Sequence, residues 1–103
     1  MSAADPPAPV EIAAGTLQLT PATDEDLLRA EAGGLGVTGA ALAWAARDIV
    51  TAEAHAWVVL HDDHGRARVA ALVAPAGSGD DAVAARDVVR RYAREALGLT
   101  VDD

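Results

Sequence analysis

Three short stretches of this sequence carry residue types that could do chemistry. His61-Asp62-Asp63-His64 places two imidazoles and two carboxylates in one turn, with His55 upstream. Such groups can ligate zinc or a similar ion, or move a proton. Neighbours in a tight turn point apart, however, the spacing specifies no fourth ligand, and a hairpin tip offers no pocket. We therefore read a solvated polar tip and assign neither a metal ligand nor a catalytic residue. Gly34-Leu35-Gly36-Val37-Thr38-Gly39 matches G-x-G-x-x-G, the pattern that lets a pyrophosphate approach a helix N-terminus. That chemistry needs a strand leading into the first glycine. Here an acid-capped helix leads in, so we expect a loop between helices and no cofactor-binding residue. Gly77-Ser78-Gly79 could hold an anion ahead of a helix, but Asp80 and Asp81 would repel it, and a linker is the better reading. The only serines are Ser2 and Ser78, and neither sits in a nucleophile motif.

Two further features point to partners rather than to reactions. Arg86, Arg90 and Arg94 recur at helical spacing, with Arg91 alongside. They form either a basic stripe for an acidic partner or a solvated face with Asp87–Arg91 and Arg91–Glu95 pairs. Trp44 falls on the polar side of an expected helix, where it is either an interface anchor or a lid on the N-terminal segment or a sheet edge. Trp44, Arg86, Arg90 and Arg94 are the expected partner-binding residues.

The composition narrows the function. The chain has 103 residues, a net charge of −8, eight arginines and no lysine, cysteine, asparagine or phenylalanine. An acidic chain is a poor match for nucleic-acid phosphates or anionic membrane surfaces. Without cysteine there is no disulfide and no thiol nucleophile. No apolar run reaches membrane-spanning length, and the N-terminus has no leader pattern, so we expect a cytoplasmic protein without membrane insertion. The Ala, Asp, Arg and Val richness fits a high-GC genome. A core built from Ala, Val and Leu is thin, which makes a homodimer plausible on stability grounds.

The elements that must position these residues centre on His55–Pro75. Trp57-Val58-Val59-Leu60 suits a strand, Asp62-Asp63-His64-Gly65 a turn, and Arg66–Ala74 a second strand stopped by Pro75. Trp57 is read as core. Residues 1–9 read as a disordered tail, leaving 10–103 as one domain. Thr16–Thr20 alternates like a half-buried strand, with Leu17 and Leu19 inward. Thr23 and Asp26 approach a capping box, starting a helix with Leu27, Leu28 and Ala32 on its apolar side and Gly33-Gly34 as its stop. Leu42, Ala45, Ala46, Ile49 and Ala52 share a helical face, predicting a second helix from Thr38 to Ala54. A third follows over Ala82–Leu97, capped by Asp80 or Asp81, with Ala85, Val88, Val89, Tyr92 and Ala96 inward. Leu99-Thr100-Val101 reads as a brief last strand. The expected fold is α+β, a two-layer sandwich with a small antiparallel sheet and helices on one face, in the order β-α-α-β-β-α(-β).

Three families share parts of this pattern. TLQLTPATDEDLLRA and AWVVLHDDHGRARVAALVAP resemble the opening and a later hairpin of GNAT-type N-acetyltransferases, which implies a CoA-using acyltransferase; the Gln/Arg-Gly-x-Gly/Ala loop of that family is missing. Ala40–Leu97 is similar in layout to the C-terminal lid of adenylate-forming enzymes, without the lysine that lid uses. Ala52–Val101, with AARDVVRRYAREAL followed by Gly98-Leu99-Thr100-Val101, resembles small actinobacterial domains of the alkaline-shock protein family. That last resemblance implies a non-enzymatic, self-associating accessory protein related to envelope stress. Together these readings favour a non-enzymatic interaction module acting through self-association or a protein partner. The alternative is a small-ligand or acyltransferase-like protein using CoA or a nucleotide.

Overall fold

The computed structural model of the chain describes residues 10–101; the expected N-terminal tail lies outside them. The chain forms β1 (Ile12–Ala14), β2 (Leu17–Pro21), α1 (Asp24–Ala32), β3 (Leu42–Asp48), β4 (Ala54–Asp63), β5 (Arg66–Val73), α2 (Gly79–Glu95) and β6 (Thr100–Val101). The class is α+β, as the pattern implied. The strands lie in sequence order in one six-stranded sheet. All neighbours are antiparallel except β5 and β6, which are parallel across the α2 crossover. No helix among the described residues is long and apolar enough to cross a membrane.

The central hairpin forms as its residues dictate. Asp63 pairs with Arg66, and His64 and Gly65 both take positive φ, 53° and 86°. Two left-handed residues in a two-residue loop match the right-handed twist of the strands they join. The Asp62 carboxylate accepts the Gly65 N–H at 3.0 Å. Leu17 and Leu19 point inward, as alternation requires.

The expected second helix is instead β3. Its central residues are buried from both sides: Leu42, Trp44 and Ala46 against α2, Ala43 and Ala45 against the opposite layer. A strand covered on both faces reads as a continuous apolar run and loses the alternation that would reveal it. Beyond it, Asp48 Oδ1 accepts the N–H groups of Val50 and Thr51 at 2.8 and 3.0 Å. These two backbone amides, Thr51 first, hold the Asp48 carboxyl below its ordinary value and close a turn. Ile49, expected inward on a helix, is exposed at that turn.

The two helices occupy opposite faces, which corrects the expectation of helices on one face. α2 buries Ala85, Val89 and Ala93 against Leu19, Trp44, Val58 and Leu60. Both outermost strands, β1 and β6, touch α2, so the sheet curls around it. On the other face, Ala30 of α1 and Leu35 of the following loop cover Ala45, Trp57 and Val59. The expected capping box forms: Thr23 Oγ1 accepts the Asp26 N–H and Asp26 accepts the Thr23 N–H, at 3.1 and 2.9 Å. The inward residues of α1 are Asp26 and Ala30, while Leu28, expected inward, is exposed. α2 begins at Gly79, earlier than expected, with the Asp81 carboxylate accepting the Ser78 N–H at 3.0 Å.

A β-bulge decides what each face displays. Ala46 faces Ala56, but Arg47 faces Ala54, so His55 is an extra residue on β4. An extra residue reverses the side-chain alternation at that point. His55 and Ala56 therefore both turn toward α2, where His55 Nδ1 lies 3.1 Å from Asp81 Oδ2. Ala54 and Trp57 stay on the α1 face.

Candidate functional site

Two features of this fold could engage another molecule. The first is a cleft between α1 and the sheet. Its floor is Asp26, Arg47 and Trp57. Asp26 is buried and lies at N3 of α1; Arg47 closes β3; Trp57 opens the apolar part of β4. Arg47 Nη2 meets Asp26 Oδ2 at 2.6 Å, and the Trp57 indole N–H points at Asp26 Oδ1 from 3.5 Å. Burial pushes the Asp26 carboxyl up. The Thr23 amide and hydroxyl, the Arg47 charge and the Trp57 indole together outweigh it, and its pKa falls below the ordinary 3.8. The carboxylate thus stays ionised and fully engaged, which suits anchoring α1 better than proton transfer.

The cleft above this floor measures about 470 Å³ and is rimmed by Glu25, Arg29, Glu53 and Pro75. A second, more apolar hollow of about 530 Å³ adjoins it, sharing Arg29, Trp57, Ala74 and Pro75 and adding Leu72 and Val73. The sequence hid this group because a capping acid, a strand tryptophan and an arginine from a strand with a helical pattern have no common spacing. The one local signal is Asp rather than Glu at N3, which keeps the carboxylate close to the helix and hence to the sheet below it.

The second feature is the outer edge of β5. Among the described residues, β6 pairs with Arg66 and Ala67. Among the described residues, Val69–Val73 have no strand on that side. The ladder parity says which backbone groups are free to pair. The Ala74 N–H donates to His55 O on β4, whereas Gly65 O accepts from Thr100 N–H on the β6 side. Even-numbered residues of β5 therefore bond inward, and Val69, Ala71 and Val73 direct N–H and C=O outward.

The sequence-derived candidates fall in different places. Trp44, expected on an exposed helix face, is fully buried in β3. Its indole N–H donates to Val10 O at 2.8 Å, and Tyr92 meets it edge-on at 5.9 Å. An interface anchor needs exposed surface, so this placement corrects the reading of Trp44. Arg86 and Arg94 are exposed on α2; Arg90 is half-buried, 3.9 Å from Asp87. The three histidines do not converge. His55 faces α2, His61 Nε2 donates to Gly36 O at 2.7 Å, and His64 is exposed at the hairpin tip. Among the described residues no three metal-ligating side chains gather. The Gly34–Gly39 loop leads into β3 rather than a helix, so no helix N-terminus stands behind its glycines.

No family model, characterised protein or solved structure matches this chain.

Proposed function

We propose that this chain is a non-enzymatic interaction module that engages a protein partner, or a second copy, by adding a strand to β5. The observation that carries this reading is the outward row of backbone donors and acceptors at Val69, Ala71 and Val73. An open edge of this kind pairs readily with another extended chain. It also fits the expected accessory role.

The test is a substitution that removes one outward donor while leaving the β4 ladder intact. Val73→Pro does this, because Val73 is half-exposed and its N–H points away from β4. The variant is expected to keep the native circular dichroism spectrum and to lose complex formation, read as a fall in mass by light scattering or in recovery of the partner. Unchanged association would end the strand-addition reading.

A second reading rests on the cleft. A polar floor beside an apolar hollow is the usual make-up of a small-ligand site, which is where the CoA or nucleotide alternative would act. The interaction reading expects no rise in melting temperature with CoA esters or nucleotides. A concentration-dependent rise, lost in Arg47→Met, would favour the ligand reading instead.

A further inference from the structure

Six of the eight arginines lie on β5 and α2, namely Arg66, Arg68, Arg86, Arg90, Arg91 and Arg94, although the chain as a whole is strongly acidic. Their placement bears on what the open edge accepts. On α2, Asp81 reaches His55 of β4 and Tyr92 reaches Trp44 of β3. That flank of the helix faces the middle of the sheet. Arg86 comes five residues after Asp81, about 140° around the helix, and Arg90 lies one turn beyond it. Both are on the opposite flank, which overlooks the outer edge of β5. On the other sheet face, Arg68 is exposed on β5 itself, with its side chain on the side of α1. Arg68 and Arg86 have no ion pair among the described residues. Val83, exposed on the same flank of α2 as Arg86, adds an apolar contact.

We propose that the β5 edge takes an acidic, extended segment of a partner protein, with carboxylates alternating to Arg68 on one face and Arg86 on the other. This rests on the strand-addition reading and specifies the chemistry of the added strand. A strand laid on the edge sends successive side chains to opposite faces. Either parity of its acids therefore meets an arginine. A second copy adding its own β5 antiparallel is the poorer occupant, since it would set the Arg86-bearing flanks of the two α2 helices against each other. Charge of this kind sets partner choice and encounter rate more than raw affinity.

Capped synthetic peptides of roughly ten residues, about the length of a long strand, provide the probe. One alternates valine with glutamate and the other valine with lysine. With the full chain, the glutamate peptide is expected to shift the amide resonances of Val69, Ala71 and Val73. It should bind at least about tenfold tighter than the lysine peptide, a difference of about 1.4 kcal/mol, and weaken as salt rises. Arg68→Glu with Arg86→Glu, both at exposed positions, is expected to reverse the preference. Equal binding of the two peptides at those amides would overturn the acidic partner and leave strand addition standing. No shift at those amides with either peptide would overturn both. A doubled mass with those amides protected in the free protein would show a second copy on the edge and overturn the acidic partner.

Discussion

Gly77→Ala is expected to be the most damaging single methyl addition in this chain. Gly77 packs directly on the bulge of β4: a Cβ there would lie 2.6 Å from the His55 carbonyl carbon and 2.8 Å from its Cα, and closer still to the carbonyl oxygen. Those are backbone atoms and cannot rotate away. His55 O is already held by the Ala74 N–H at 3.0 Å, and Ala74 O by the Gly77 N–H at 2.9 Å. The loop and the bulge therefore lock each other, and relief requires displacing the start of β4 or the entry to α2. Overpacking a well-filled site costs about 1–3 kcal/mol and more where backbone must move. We expect at least about 3 kcal/mol, against a total of about 5–15 kcal/mol for a domain of ordinary stability. Urea denaturation would read the loss as a lower midpoint. By contrast, Gly33→Ala clashes with the Leu72 side chain alone, whose methyl lies 2.6 Å away and can turn aside, while its backbone neighbours stay at ordinary contact distance. A Gly77→Ala variant as stable as the parent would show that the loop does not close on the bulge.

Asp26→Asn is expected to rank second. Asparagine keeps the size but loses the charge, so Arg47 is left half-buried without its counter-ion and the helix cap loses its carboxylate. Removing one member of a buried ion pair costs about 3–5 kcal/mol. Because the Arg47 side chain retains 28% exposure, water recovers part of this, and about 2–3 kcal/mol is the expected loss. The sign of the pH dependence follows from the depressed pKa. Asp26 binds its proton less readily folded than unfolded, so its contribution is complete above the ordinary value of 3.8 and is lost as pH falls through the lower folded value. The parent should therefore lose stability on acidification below about pH 4 more steeply than Asp26→Asn does. Parallel slopes in that range would show that the Asp26–Arg47 pair is not formed in solution.

What could be read from the sequence, and what could not, divides along a physical line. The β4–β5 hairpin was legible because Asp62-Asp63-His64-Gly65 has one good conformation and β-branched residues flank it. α1 was legible at its ends, where Thr23, Asp26 and Gly33-Gly34 act through bonds to their own backbone. Its buried side was not, because Asp26 faces inward only to meet Arg47, a partner twenty-one positions away. β3 failed outright. Leu42-Ala43-Trp44-Ala45-Ala46 reads as helix, since alanine is the strongest helix former and the covering of both faces erases the alternation of a strand. The error displaced Trp44 and Arg47 together, and the candidate cleft with them.

By itself, then, the sequence determined those features whose energetics are local: the central hairpin, the caps of α1, the inward alternation of Leu17 and Leu19, and an arginine-bearing last helix in an acidic chain. Tertiary structure alone decided the rest. It set α1 and α2 on opposite faces, turned His55 toward α2 through a one-residue bulge, and gathered Asp26, Arg47 and Trp57 from three elements. Among the described residues, it also left Val69–Val73 without a strand on their outer side. Each of these depends on pairings between distant residues, and no short window of sequence contains both partners.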